Sequence, residues 1–212
     1  MATVQAEPYE FAFEPGTTAL LIIDMQRDFV DPGGFGEALG NDVSLLRKAI
    51  APTRRVLDAA RERGLLVVHT REGHRPDLAD LPEAKKLRGR LKTGIGDPGP
   101  MGRILVRGEY GHDIIDELKP AAGEPVVDKP GKGAFHATDL GALLQNRGIR
   151  QLVVCGVTTE VCVNTTVLVF GRIFGFIHGE TLGWAKEPLV ALGYVLFGAV
   201  CLVLGGRKAA PA

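Results

Sequence analysis

The chain has 212 residues, enough for one domain with a substantial core. Its 25 basic and 25 acidic side chains cancel to zero net charge, which argues against a nucleic-acid partner and against an acidic disordered tail. The three cysteines, Cys155, Cys162 and Cys201, show no C-x-x-C metal spacing and are too few for a disulfide framework, so a reducing compartment is expected.

Met1 to Pro15 carries Glu7, Glu10 and Glu14 and no basic-then-apolar pattern, so no export signal is read there and a cytoplasmic location is expected. Thr17 to Ile23 is strongly apolar, ends at Asp24, and predicts a central parallel strand. Asp28, Asp31, Pro32, Gly33 and Gly34 predict a loop. Val43, Leu46, Ile50, Val56, Leu57 and Ala60 recur at helical spacing and predict a helix over Asp42 to Arg63, kinked or restarted at Pro52. Gly64 closes it, and Leu65 to Thr70 predicts a second buried strand.

Arg71 to Pro100 is a polar excursion rich in Gly and Pro, with one short helix near Pro82 to Leu87. Arg103 to Val106 predicts a small edge strand and Asp113 to Leu118 a short helix. Glu124 to Asp128 predicts a third strand ending at Lys129, and Asp139 caps a helix to Asn146 that Gly148 terminates. The fourth strand, Leu152 to Cys155, stops at Gly156. Thr158 and Thr159 suit an N-cap, Glu160 a first turn, and a helix is expected from near Val161.

Cys162 then falls in the first turn of a helix at the carboxyl end of a buried strand. It is either a thiol activated by the helix N-terminus or a small core residue. Strands alternating with helices predict a three-layer α/β/α fold with a doubly wound, mostly parallel sheet. In such sheets ligands bind beyond the carboxyl ends of the strands, where Asp24, Lys129 and Cys162 all fall. A carboxylate, an ammonium and a thiol at one edge suit nucleophilic chemistry.

Three motifs carry a resemblance: L-L-I-I-D-M-Q-R-D-F at Leu20 to Phe29, D-K-P-G-K-G-A-F at Asp128 to Phe135, and C-G-V-T-T-E-V-C-V at Cys155 to Val163. Over about residues 18–167 the chain resembles the isochorismatase-like cysteine hydrolases, a family that includes biuret hydrolase, ureidoacrylate and N-carbamoylsarcosine amidohydrolases, and nicotinamidase. R-G-E-Y-G-H-D-I-I before the third strand is closest to the biuret and carbamoyl-amide branch.

The resemblance implies a catalytic triad of Asp24, Lys129 and Cys162. Lys129 would lower the thiol pKa and Asp24 would take its proton. The thiolate would attack a small amide, and the resulting oxyanion would rest on the backbone N–H groups of Thr158 and Cys162. A cis peptide bond between Val157 and Thr158 would present those groups. Phe29 and Phe135 would wall the substrate pocket, or simply pack in the core. Arg107 and Glu109 are either a surface pair or substrate contacts. Glu72 and His74 occupy the spacing of a nicotinamidase metal pair, but the further histidine is absent near Asp77 and Leu78, so no metal and no other cofactor is expected. Family members often form homo-oligomers, which is the expectation here.

After Thr166 the chain departs from the family, leaving the expected domain at 1–167, with a fold incomplete at its C-terminus, and an atypical Gly-rich tail at 168–212. Leu189 to Gly206 is uncharged, near the lower end of the ~17–25 residues that span a bilayer, and Arg207 and Lys208 follow it. For the whole chain the favoured expectation is a metal-independent cysteine amidohydrolase of a small linear carbamoyl amide, with a truncated or chimeric, catalytically impaired relative as the alternative. For the tail it is a membrane-like or chimeric segment with one helix at 189–206. The alternative is a tail packed on the open sheet edge, with Leu202 to Leu204 replacing a lost strand.

Overall fold

The structure, a computed structural model, describes residues 1–7, 9–86, 93–173, 191–194 and 200–204. A small antiparallel pair, β1 (Ala2–Val4) and β2 (Phe11–Phe13), precedes the central strand β3 (Thr18–Ile23), every residue of which is buried. Two short turns of helix follow, α1 (Arg27–Val30) and α2 (Phe35–Ala38). The single helix expected over residues 42–63 is instead two, α3 (Val43–Arg47) and α4 (Ile50–Glu62). Asp42 caps the first by accepting from Ser44 N at 2.9 Å. Pro52 sits in the first turn of the second, where its missing N–H costs nothing.

Strand β4 (Leu66–Glu72) runs two residues further than the apolar run at 65–70 suggests. Next come α5 (Glu83–Lys86) and a two-residue hairpin, β5 (Pro98–Gly99) with β6 (Gly102–Arg103), in place of the edge strand expected at 103–106. The helix expected at 113–118 is a single 3₁₀ turn at Asp116–Leu118. The core is completed by β7 (Val126–Lys129), α6 (Leu140–Asn146), β8 (Gln151–Gly156) and α7 (Asn164–Ile173).

The sheet runs β7-β4-β3-β8, all parallel. Residues alternate across β3. Leu20 and Ile22 face α4 with Leu57 and Ala60, whereas Ala19, Leu21 and Ile23 face α6 and α7 with Leu140, Leu144, Val167 and Phe170. One core lies on each face, which gives the three layers expected. Gly156 ends β8 at φ 126°, and a Cβ there would lie 2.0 Å from Ile23 O, so only glycine lets β8 leave the sheet beside β3.

Beyond β8 the tail adds β9 (Ala191–Tyr194) and β10 (Val200–Leu204). β10 pairs antiparallel with β8, Leu202 opposite Val154, and β9 pairs with β10. Within 189–206 the structure therefore has two strands where one membrane-like helix was expected. The rest of that stretch lies outside the described residues. The physical reason is the open flank of β8, whose N–H and C=O groups need partners that a separate helix cannot give. No helix among the described residues is long and apolar enough to cross a membrane.

Candidate active site

Parallel register brings the candidate residues together. Ile23 stands between Thr70 of β4 and Gly156 of β8, so Asp24, one step further, sits at the carboxyl rim of the sheet. Its backbone turns there into the left-handed region, φ 52°, which an aspartate tolerates better than most residues. Thr70 fixes the carboxylate by donating its hydroxyl to Oδ1 at 2.7 Å. Lys129 ends β7 and is fully buried; its Nζ lies 2.7 Å from Asp24 Oδ2 and donates to Gly131 O at 3.0 Å.

Cys162 enters from the opposite side of the rim. The peptide between Val157 and Thr158 is cis, as the resemblance implied. Residues Thr159–Val163 then form one π-helical turn that runs into α7. Thr158 stands at its N-cap but makes no side-chain cap bond, contrary to the capping role expected of it. Cys162 is 3% exposed, and Asp24, Glu72 and Cys162 present their ligand atoms within 4.8 Å of one another. The structure thus gathers all three expected residues in one buried cluster.

Comparisons with known proteins identify the family. The family model for the isochorismatase domain matches residues 18–171. The chain belongs to the isochorismatase family. The ureidoacrylate amidohydrolase RutB of Serratia proteamaculans is 36% identical to it over 185 residues, covering 84% of this chain and 74% of that relative. A cysteine hydrolase from Pseudomonas syringae superposes with a TM-score of 0.65 at 26% identity, covering 82% of this chain and 73% of its own. The N-carbamoylsarcosine amidase of Thermoplasma acidophilum does so with a TM-score of 0.55 at 26% identity, covering 72% and 75%.

This isochorismatase site contains a residue that the sequence reading placed in a loop. Glu72, the last residue of β4, pairs in register with Lys129 and is fully buried. It accepts the Cys162 thiol at 3.5 Å on Oε2. Lys132 donates to Oε1 at 2.9 Å and Oε2 at 3.1 Å, Lys85 lies 2.8 Å from Oε1, and Lys129 lies 3.6 Å from Oε2. Three ammonium groups therefore face two carboxylates and one thiol. The sequence marks Glu72 only as half of a metal-pair spacing; the signal for its place at the rim is period-2 continuation of β4 from Thr70, obscured because apolar character ends there.

The electrostatics correct one expectation. Burial dominates at Cys162, and Asp24 and Glu72 add to it, so the thiol pKa is pushed well above its usual value despite Lys129 and Lys132. The resting cysteine is a thiol, not a thiolate. Glu72 behaves oppositely: burial favours its neutral form, but Lys129, Lys132 and Lys85 outweigh it and hold the carboxyl at about 2.

The carboxylates that could ligate a metal are thus already engaged by ammonium groups. His74 turns away as well, with Nε2 against Lys85 at 2.7 Å and Nδ1 against Asp80 at 3.3 Å. His69 is buried against Glu124 at 3.0 Å, and His112 faces Asp128 at 3.7 Å, its pKa pulled down to about 4 by burial. Phe29 is 5% exposed and packs edge-on to Phe35 within the core, which matches the core-packing alternative. Phe135 does line a cleft of about 410 Å³ with Lys132, Gly133, His136, Thr165 and Val169. Lys132, which lines that cleft, is also the lysine that bonds Glu72. Arg107 is a strap, bonding Gly73 O at 3.1 Å and facing Asp80 at 3.6 Å.

Proposed function

We propose that this chain is a metal-independent cysteine amidohydrolase that cleaves the C–N bond of a small linear carbamoyl amide, biuret-like or ureidoacrylate-like, through a thioester on Cys162. The observation that carries the reading is the buried convergence of Cys162, Asp24 and Lys129 at one rim of the sheet. The names of two relatives, a ureidoacrylate amidohydrolase and an N-carbamoylsarcosine amidase, support the bond type.

The substrate enters by the Phe135 cleft, with its planar amide against the ring and its polar edge toward Lys132. Because the resting thiol is protonated, its proton passes to Asp24 as the sulfur attacks, and Lys129 balances the charge. The tetrahedral oxyanion rests on the Thr158 and Cys162 N–H groups; one such donor is worth roughly 3–4 kcal/mol of barrier. The C–N bond then breaks, and Asp24 returns its proton to the leaving nitrogen. Water attacks the thioester, gives a proton to Asp24, and the C–S bond opens to restore the thiol.

The test is ammonia or amine release from biuret, ureidoacrylate, N-carbamoylsarcosine and nicotinamide, with Cys162→Ala as control. Turnover of one of the first three, lost in the variant, is the expected result. A second reading, a relative that keeps the triad without turnover, is favoured by the family match ending at residue 171. Intact substrates throughout would select it.

A further inference from the structure

Asp24 is engaged on both oxygens, with Thr70 on Oδ1 and Lys129 beside Oδ2. The Cys162 thiol is hydrogen-bonded elsewhere, to Glu72 Oε2. Glu72 is itself locked at its backbone: its N–H donates to Gln26 Oε1 at 2.7 Å and its carbonyl accepts from Gln26 Nε2 at 2.9 Å. Its carboxylate is reached from outside the sheet by Lys85 of α5, which also lies 2.8 Å from Pro130 O and 2.7 Å from His74 Nε2. An ammonium can only donate, so His74 Nε2 accepts, which leaves its proton on Nδ1, facing Asp80. A continuous chain thus runs Asp80–His74–Lys85–Glu72–Cys162, from the polar excursion to the sulfur.

We propose that Glu72 is a positioning residue for Cys162: steadied by Lys85 and Lys132, it holds the thiol proton in the resting site and so governs when the sulfur becomes reactive. Its three ammonium neighbours make it a poor final proton acceptor, which leaves Asp24 as the destination once substrate displaces the thiol from Glu72. The inference rests on the amidohydrolase reading only in taking Cys162 as the nucleophile.

Among the described residues, the charged and titratable groups facing the sulfur are Asp24 after β3, Glu72 on β4, Lys129 on β7 and Lys132 beyond it, with Lys85 and His74 behind Glu72. The experiment follows the rate of iodoacetamide alkylation against pH on the full chain, read at the Cys162 peptide by mass spectrometry. Glu72→Gln removes a negative charge at hydrogen-bond distance and is expected to lower the midpoint by about one pH unit or more. Lys85→Met removes the cation behind that carboxylate and is expected to raise it.

Shifts of opposite sign establish the role. An unmoved midpoint in Glu72→Gln, or shifts of the same sign, overturns it. Should Glu72→Gln fail to fold, Lys85→Met lies outside the sheet and decides alone: an upward shift supports the proposal and no shift overturns it. No substrate is needed, so the outcome is independent of the amide screen. Turnover with unmoved midpoints removes the clamp and keeps the hydrolase.

Discussion

Glu72 and Lys129 stand opposite each other in the parallel register of β4 and β7, their charged ends 3.6 Å apart at the sheet rim. Lys129 thereby serves two carboxylates at once, since Asp24 lies 2.7 Å away on the other side. Burial weakens an ammonium, but these two anions together with Cys162 outweigh it and raise the Lys129 pKa. The lysine stays charged throughout the accessible pH range, so it stabilises anions and does not trade protons.

Lys129→Met is accordingly expected to leave two buried carboxylates under-compensated. Removing one partner of a buried pair costs about 3–5 kcal/mol. Urea unfolding should show that loss together with loss of turnover, whereas Cys162→Ser should lose turnover by about 10³-fold or more with an almost unchanged unfolding midpoint.

Asp28 offers a pH test of stability. Burial raises its carboxyl to about 6, against the lowering effect of its bond from Leu105 N at 2.8 Å. A folded pKa above the unfolded one means that the contribution is fully present below about 4 and is lost as pH rises through 6. Asp28→Asn should therefore match the native chain near pH 4 and exceed it by about 2–3 kcal/mol at pH 7. Urea midpoints at the two pH values check this; a gap that shrinks with pH contradicts it.

Leu57 is fully buried on α4 and packs among residues of the β3 face that carries Leu20 and Ile22. Leu57→Ala should cost about 2–5 kcal/mol in chemical unfolding. Turnover per folded molecule should stay within about twofold, because no site residue rests on α4. Gly156→Ala should be far harsher: its Cβ meets Ile23 O, whose carbonyl also accepts Val157 N at 2.9 Å. Failure to accumulate soluble protein is expected, and a normally stable, active variant would contradict the placement.

Much of this was legible in the chain because hydrophobic period and turn chemistry agree. The strand-ending residues Asp24 and Lys129 mark the rim, and Gly156 marks where β8 must leave it. What was not legible depends on partners distant in sequence. Glu72 looks like loop because its burial depends on Lys85, Lys129 and Lys132, none of which is predictable from its neighbours. The raised pKa of Cys162 is hidden for the same reason: Lys129 favours the thiolate, but complete burial and the second carboxylate, Glu72, are set by the tertiary packing. In the tail, an uncharged run of that length suits a membrane helix and a pair of strands alike; the sheet-edge alternative, with Leu202 to Leu204 as a strand, is the one that β10 on the open flank of β8 matches.

The central claim is that an acyl group from a small amide passes through the Cys162 sulfur. Rapid acid quench of the enzyme with its best amide substrate, followed by peptide mass spectrometry, tests it directly. The account predicts a transient acyl adduct on the peptide containing Cys162, formed at the rate of amine or ammonia release. Release that proceeds at full rate with Cys162 unmodified, or that persists in Cys162→Ala, would contradict it.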